Sequence, residues 1–131
     1  MNLIITEGNQ DFSLEPLEQR FLFPYLFRFA LIVGLSAIEG PAVVIEEKDR
    51  ELLVVHLSEA LRALLQDGYE PPLPRQRQKH PSYFEKFLFD NQKYVVNYTT
   101  SPPGRLMFLI ALRLRLIEAG GRVVLKPMGP L

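Results

Sequence analysis

Residues 94–126 read YVVNYTTSPPGRLMFLIALRLRLIEAGGRVVLK, and the way this stretch divides decides the fold. Tyr94, Val96 and Tyr98 alternate with Val95, Asn97 and Thr99, which predicts a strand by period and by residue type. Ser101 is a good N-cap, and Pro102 stands at the first helical position, where its missing N–H costs nothing. Gly120-Gly121 supplies the stop for the helix that begins there. Arg113 and Arg115 lie toward its C-terminal end, where cations complement the macrodipole. On a helix they point about 200° apart and cannot form one patch. Residues 122–126 then read as a strand ended by Pro127. Strand, helix and strand with short joins predict a βαβ unit, with 94–99 and 122–126 parallel and the crossover right-handed.

Upstream, residues 69–81 (YEPPLPRQRQKHP) hold four prolines and no apolar period, so an extended, exposed connector is expected. Ser82 can cap a short helix running to about Phe89, closed by the turn Asp90-Asn91. From Asp49 to Gln66 the polar residues Glu51, Ser58, Glu59, Arg62 and Gln66 fall in one arc of roughly 100°, interrupted by Val55, which favours a helix. A competing reading makes 52–57 a strand paired with 42–45. Residues 2–6 read as a strand closed by Gly8-Asn9. Ser13 can cap a helix starting near Pro16, which Pro24 should kink or restart and Gly40-Pro41 should stop.

The charges are sorted by half. Residues 1–70 carry 12 Asp/Glu and 5 Lys/Arg, a net −7, whereas residues 71–131 carry 3 and 10, a net +7. Such asymmetry bears on association and steering rather than on fold. With 131 residues, 47% hydrophobic and 23% charged, the chain fits one soluble domain. Cysteine is absent, which excludes disulfides and thiol chemistry and fits an intracellular, cytoplasmic protein. Residues 1–7 show no export signal. Residues 21–38 just reach the length of a bilayer span, but Arg28 would cost roughly 2.5 kcal/mol or more in lipid. A buried helix is the expectation there, and no membrane partner.

Five places carry residue types suited to chemistry. Thr99, Thr100, Ser101, Gly104 and Arg105 form a strand-to-helix loop, where helix N–H groups and the dipole can face an anion. Pro102 and Pro103 remove two such donors, and ordinary capping accounts for Ser101. Arg75, Arg77, Lys79 and His80 form a basic run leading into Tyr83 and Phe84, the composition that grips a polyanion or a partner protein. His56, in an apolar helix pattern, reads as a satisfied, partly buried imidazole, with Glu59 the single nearby carboxylate. Glu46, Glu47, Asp49 and Glu51 read as a solvated turn, without a calcium-loop pattern. Residues 71–75 (PPLPR) superficially fit a polyproline ligand, but a linker explains them. No catalytic, metal or cofactor motif is present.

The expected fold is α+β: a compact, two-lobed single domain over 1–131. Its helix-rich acidic lobe (1–68) and basic lobe (82–131) are joined by the connector 69–81, with the βαβ unit in the second half. The expected function is a non-catalytic binding or assembly subunit, in which acidic and basic halves meet a partner protein or a second copy head to tail. The alternative is nucleic-acid binding by the basic half. A small enzyme or ligand-binding domain with a phosphate site at 99–105 comes third.

Overall fold

The computed structural model describes residues 1–127 apart from 36, 37 and 39. The fold is α+β; the described residues are 52% helix and 23% strand and hold two antiparallel sheets. In order, its elements are β1 (Asn2–Glu7), β2 (Gln10–Ser13), α1 (Pro16–Ile32), β3 (Val43–Val44), α2 (Glu47–Gly68) and α3 (Pro74–Lys79). A 3₁₀ turn (Pro81–Tyr83), β4 (Phe84–Phe89), β5 (Gln92–Asn97), α4 (Pro102–Glu118) and β6 (Arg122–Lys126) follow. Two compact units divide the chain: residues 1–60 with 113–131, and residues 61–112.

The first unit holds a four-stranded sheet in the order β2-β1-β6-β3. Leu3 stands opposite Leu125 and Ile5 opposite Val123, so these four side chains share one face, and all are fully buried. Leu22, Leu26 and Phe29 supply the matching stripe of α1, at the spacing of one helical face. Leu53 and Leu57 of α2 and Ile117 of α4 complete this core.

The second unit contains the β4–β5 hairpin. Asp90 and Asn91 both have positive φ (51° and 61°), the conformation of a two-residue turn whose twist matches the strands. Buried in this unit are Val96 of β5 and, from α4, Leu106, Met107, Leu109 and Ile110.

Several expectations are corrected by this arrangement. β5, α4 and β6 do not form the expected βαβ unit: β5 pairs with β4, and β6 pairs with β1 and β3, all antiparallel. Both edges of β6 are therefore occupied. The outer edge of β5 is closed by the Tyr69 hydroxyl, which accepts from the Val95 N–H (3.2 Å) and donates to the Val95 carbonyl (3.3 Å). Residues 84–89 are a strand rather than a helix, because the Asp90-Asn91 turn folds them directly onto β5. The connector is not extended throughout. Pro74 begins the short helix α3, and the Leu73 N–H donates to Gln76 Oε1 at 3.2 Å. With Pro74 and Arg75 helical, the polyproline-ligand reading loses its conformation.

Helix α1 runs through Pro24 without restarting. It ends eight residues before Gly40, at a left-handed Gly34 (φ 81°). Gly34 N–H donates to Leu31 O, and Leu35 N–H to Ala30 O, which is the Schellman pattern. Ser13 is the last residue of β2, and the N-cap of α1 is Glu15. Residues 52–57 belong to α2, as the polar arc indicated. At the far end of α4, Gly120 N–H donates to Ile117 O and Gly121 N–H to Leu116 O, the stop read from the sequence.

Candidate functional site

The strand-to-helix loop is held together by its own side chains. Asn97 Oδ1 accepts the N–H groups of Thr99 (3.0 Å) and Thr100 (2.8 Å), and its amide donates to the Thr100 hydroxyl at 2.7 Å. Ser101 Oγ accepts from the Gly104 N–H, and the Ser101 carbonyl from the Arg105 N–H. With Pro102 and Pro103 contributing none, the backbone donors at this helix start are engaged within the loop. Gly104 is there for room, since a Cβ would run into the Asn97 carbonyl oxygen. The Arg105 guanidinium lies 4.8 Å from the centre of the Tyr98 ring.

Of the basic run, Arg75 and Lys79 are exposed on α3, and His80, also exposed, stacks on Tyr83 at 4.7 Å. Arg77 is half-buried, and its Nε has no hydrogen-bond partner among the described residues. His56 is buried against the edge of Phe29, 6.2 Å between ring centres. Neither of its nitrogens has a partner among the described residues, so the satisfied imidazole expected from the sequence is corrected. Packing alone places this ring, because α1 supplies an aromatic neighbour and no acceptor. Glu46 is ion-paired with Lys48 at the exposed start of α2. A cleft of about 420 Å³ lies between Glu47, Arg50, Glu51 and Glu118, where Arg50 Nη1 donates to the Ile117 carbonyl at 3.4 Å. Among the described residues no group of three His, Cys, Asp or Glu could hold a metal ion.

The site that sequence reasoning missed is the outer face of α1. This helix was expected to be buried, and only one side of it is. Phe23 (40% exposed), Phe27 (45%), Leu31 (52%) and Ile32 (58%) are open to solvent, as is Leu17. Phe23, Phe27 and Leu31 follow at four-residue intervals on one face, and the rings of Phe23 and Phe27 stack 5.9 Å apart. Arg20 and Arg28 rim the same face.

No protein family, curated protein or solved structure matches this chain.

Beside α1 lies α2, joined to it by the Phe29–His56 contact and by an Arg28–Glu59 ion pair of 3.7 Å. The outer face of α2 shows Glu51, Val55 and Glu59, again at four-residue intervals, with Val55 49% exposed. Cations thus stand on one helix and carboxylates on the next, with apolar side chains around them. The signal for this was present in the sequence. Leu22, Leu26, Phe29 and Ala30 already fill one arc of α1, which leaves Leu17, Phe23, Phe27 and Leu31 on another. No helix among the described residues is long and apolar enough to cross a membrane; residues 36 and 37 of the apolar stretch lie outside them.

Proposed function

We propose that the chain is a non-catalytic protein-association module, an assembly subunit, whose contact surface is the outer face of α1. The observation that carries this reading is the exposure of five large apolar side chains on one helix, rimmed by Arg20 and Arg28. Apolar patches of this kind mark surfaces that another molecule covers, since monomers keep them small. Fractional exposures near one half also leave much surface to bury, and aromatic anchors such as Phe23 and Phe27 are the residue type that carries interface energy.

The test is the size of the native species in a cell extract. The wild-type chain should elute well above its 15.1 kDa monomer mass, and the Phe23→Glu/Phe27→Glu variant should elute as monomer. Both eluting as monomers would refute the reading.

A second reading is supported by the charge of residues 61–112, which hold 7 Lys/Arg and 4 Asp/Glu, a net +3. Arg75, Lys79, Lys86 and Lys93 are exposed there, and they suit a polyanion. Retention of a labelled single strand at 50 mM salt, lost on changing these four residues to Gln, would support it; no retention would dismiss it.

A further inference from the structure

The β4–β5 hairpin has one guarded edge and one open one. Val95 turns its N–H and carbonyl away from β4, to the Tyr69 hydroxyl. Its register partner is Lys86, and in such a pair of an antiparallel ladder both residues point these groups away from each other. The period of two then assigns the outer edge of β4 to Phe84, Lys86 and Leu88, and that of β5 to Lys93, Val95 and Asn97. On β5, Tyr69 occupies Val95, and Gly104 lies against the Asn97 carbonyl and nitrogen. On β4, the Phe84 N–H donates to the Pro81 carbonyl. The Phe84 carbonyl and both backbone groups of Lys86 and Leu88 have no partner among the described residues. Leu88 is 66% exposed, more than any other large apolar side chain described. Lys86 is exposed and has no ion pair among the described residues.

We infer that the β4 edge accepts an added strand: an extended segment of another protein, acidic at its centre and apolar two residues to either side. A row of open N–H and carbonyl groups at every second residue is matched by another extended backbone. In antiparallel addition one ligand residue exchanges both backbone bonds with Lys86. The residues two before and two after it then stand opposite Leu88 and Phe84. The central side chain lies beside the Lys86 ammonium, where a carboxylate is favoured and a cation repelled. Its neighbours two away lie beside Leu88 and Phe84, where apolar side chains are favoured. A second copy is the wrong occupant. Two β4 strands in the register that uses the whole open edge place Lys86 directly opposite Lys86. The lysine that keeps this edge from pairing with itself thus sets the sign of its partner. Five residues of added strand bury less than a stable interface does, so the contact is weak and quickly exchanging. This inference does not rest on the α1 surface.

Amide-resolved NMR of the isotope-labelled, full-length chain tests this with three blocked peptides. They are STLTETLTS, the same peptide with Lys in place of Glu, and the first peptide N-methylated at its Glu. The glutamate peptide should move the Lys86 and Leu88 amide signals and slow their hydrogen exchange. Exchange at Glu85 and Phe87, whose N–H groups face β5, should not change. The lysine peptide and the N-methylated peptide should each bind roughly tenfold more weakly, one for its charge and the other for its lost backbone donor. Lys86→Glu, a change at an exposed position, should reverse the preference and favour the lysine peptide. A glutamate peptide that moves no amide at millimolar concentration would overturn the inference. So would shifts at Lys86 and Leu88 without slowed exchange, or a preference that Lys86→Glu leaves as it was. A nucleic-acid single strand that binds at Lys86 while the peptides do not would overturn it in favour of the polyanion reading.

Discussion

Glu18 and Arg113 are the charged pair that the core of the first unit has taken in. Arg113 donates from Nη2 to Glu18 Oε1 at 2.8 Å and from Nε to Oε2 at 3.1 Å. The arginine also donates to the Ser13 carbonyl, and Glu18 Oε1 accepts the Glu15 N–H at 3.0 Å. One pair thus closes the end of β2, the first turn of α1 and α4 together. Desolvating two charges offsets most of what their attraction supplies, but removing one strands the other. Arg113→Met should therefore cost roughly 3–5 kcal/mol in urea unfolding, and adding Glu18→Leu should recover most of it. If the double variant is no more stable than the single, the pair is not what the cost comes from. Little of this was legible in advance. Within Leu112-Arg113-Leu114-Arg115-Leu116 the two arginines look alike, and both suit a helix C-terminus. Only the fold, by bringing in Glu18 from 95 positions away, makes Arg113 interior and leaves Arg115 outside. His56 was legible as a buried position, because the helical period shows that; whether an acceptor faces it depends on α1 and could not be read.

At the scale of elements, local chemistry was legible and pairing was not. Ser101, Pro102 and Gly120-Gly121 bound α4 because caps act within a few residues of where they stand. The same locality makes the start of α4 predictable in its response. Ser101→Ala should cost about 1 kcal/mol through the lost bond to the Gly104 N–H. Gly104→Ala should cost more, roughly 1–3 kcal/mol, because the added methyl must displace the Asn97 backbone. A Gly104→Ala chain as stable as wild type would show that β5 and α4 can separate at this point without penalty. Phosphate and sulfate should leave the melting temperature unchanged, since the loop's own side chains already occupy its donors. Phe84 and Phe87 misled because a three-residue interval suits one face of a helix, whereas in β4 it sets the two rings on opposite faces and Phe87 shares its face with Phe89. What decided between them was the Asp90-Asn91 turn, two residues that tolerate positive φ and so favour a hairpin.

At the scale of the molecule, the charge asymmetry of the chain is softened by its topology. Residues 113–131 return to the unit built from residues 1–60, so that unit carries 11 Asp/Glu and 8 Lys/Arg, a net −3, in place of the −7 of the first 70 residues. A linear count could not show this, because it depends on β6 inserting between β1 and β3. For the same reason the parallel pairing expected of β6 failed: a strand's partner is chosen by the whole sheet, not by its neighbours in sequence. The division between units also falls inside two helices, after Ala60 in α2 and after Leu112 in α4. Residues 61–112 therefore own about two turns of α2 and about three of α4, lengths that are marginal for an isolated helix. Their one sheet is a two-stranded hairpin, also marginal alone. Neither part can persist unless the helices continue into the other unit, so the chain should unfold as a single cooperative body. Four of the five tyrosines, Tyr69, Tyr83, Tyr94 and Tyr98, lie within 61–112, so near-ultraviolet circular dichroism follows that unit while the far-ultraviolet signal follows every helix. The two urea curves should superpose, with one midpoint and one slope. A tyrosine transition at lower urea than the helical one would mean that α2 and α4 fray at the boundary and that the hairpin unit opens first.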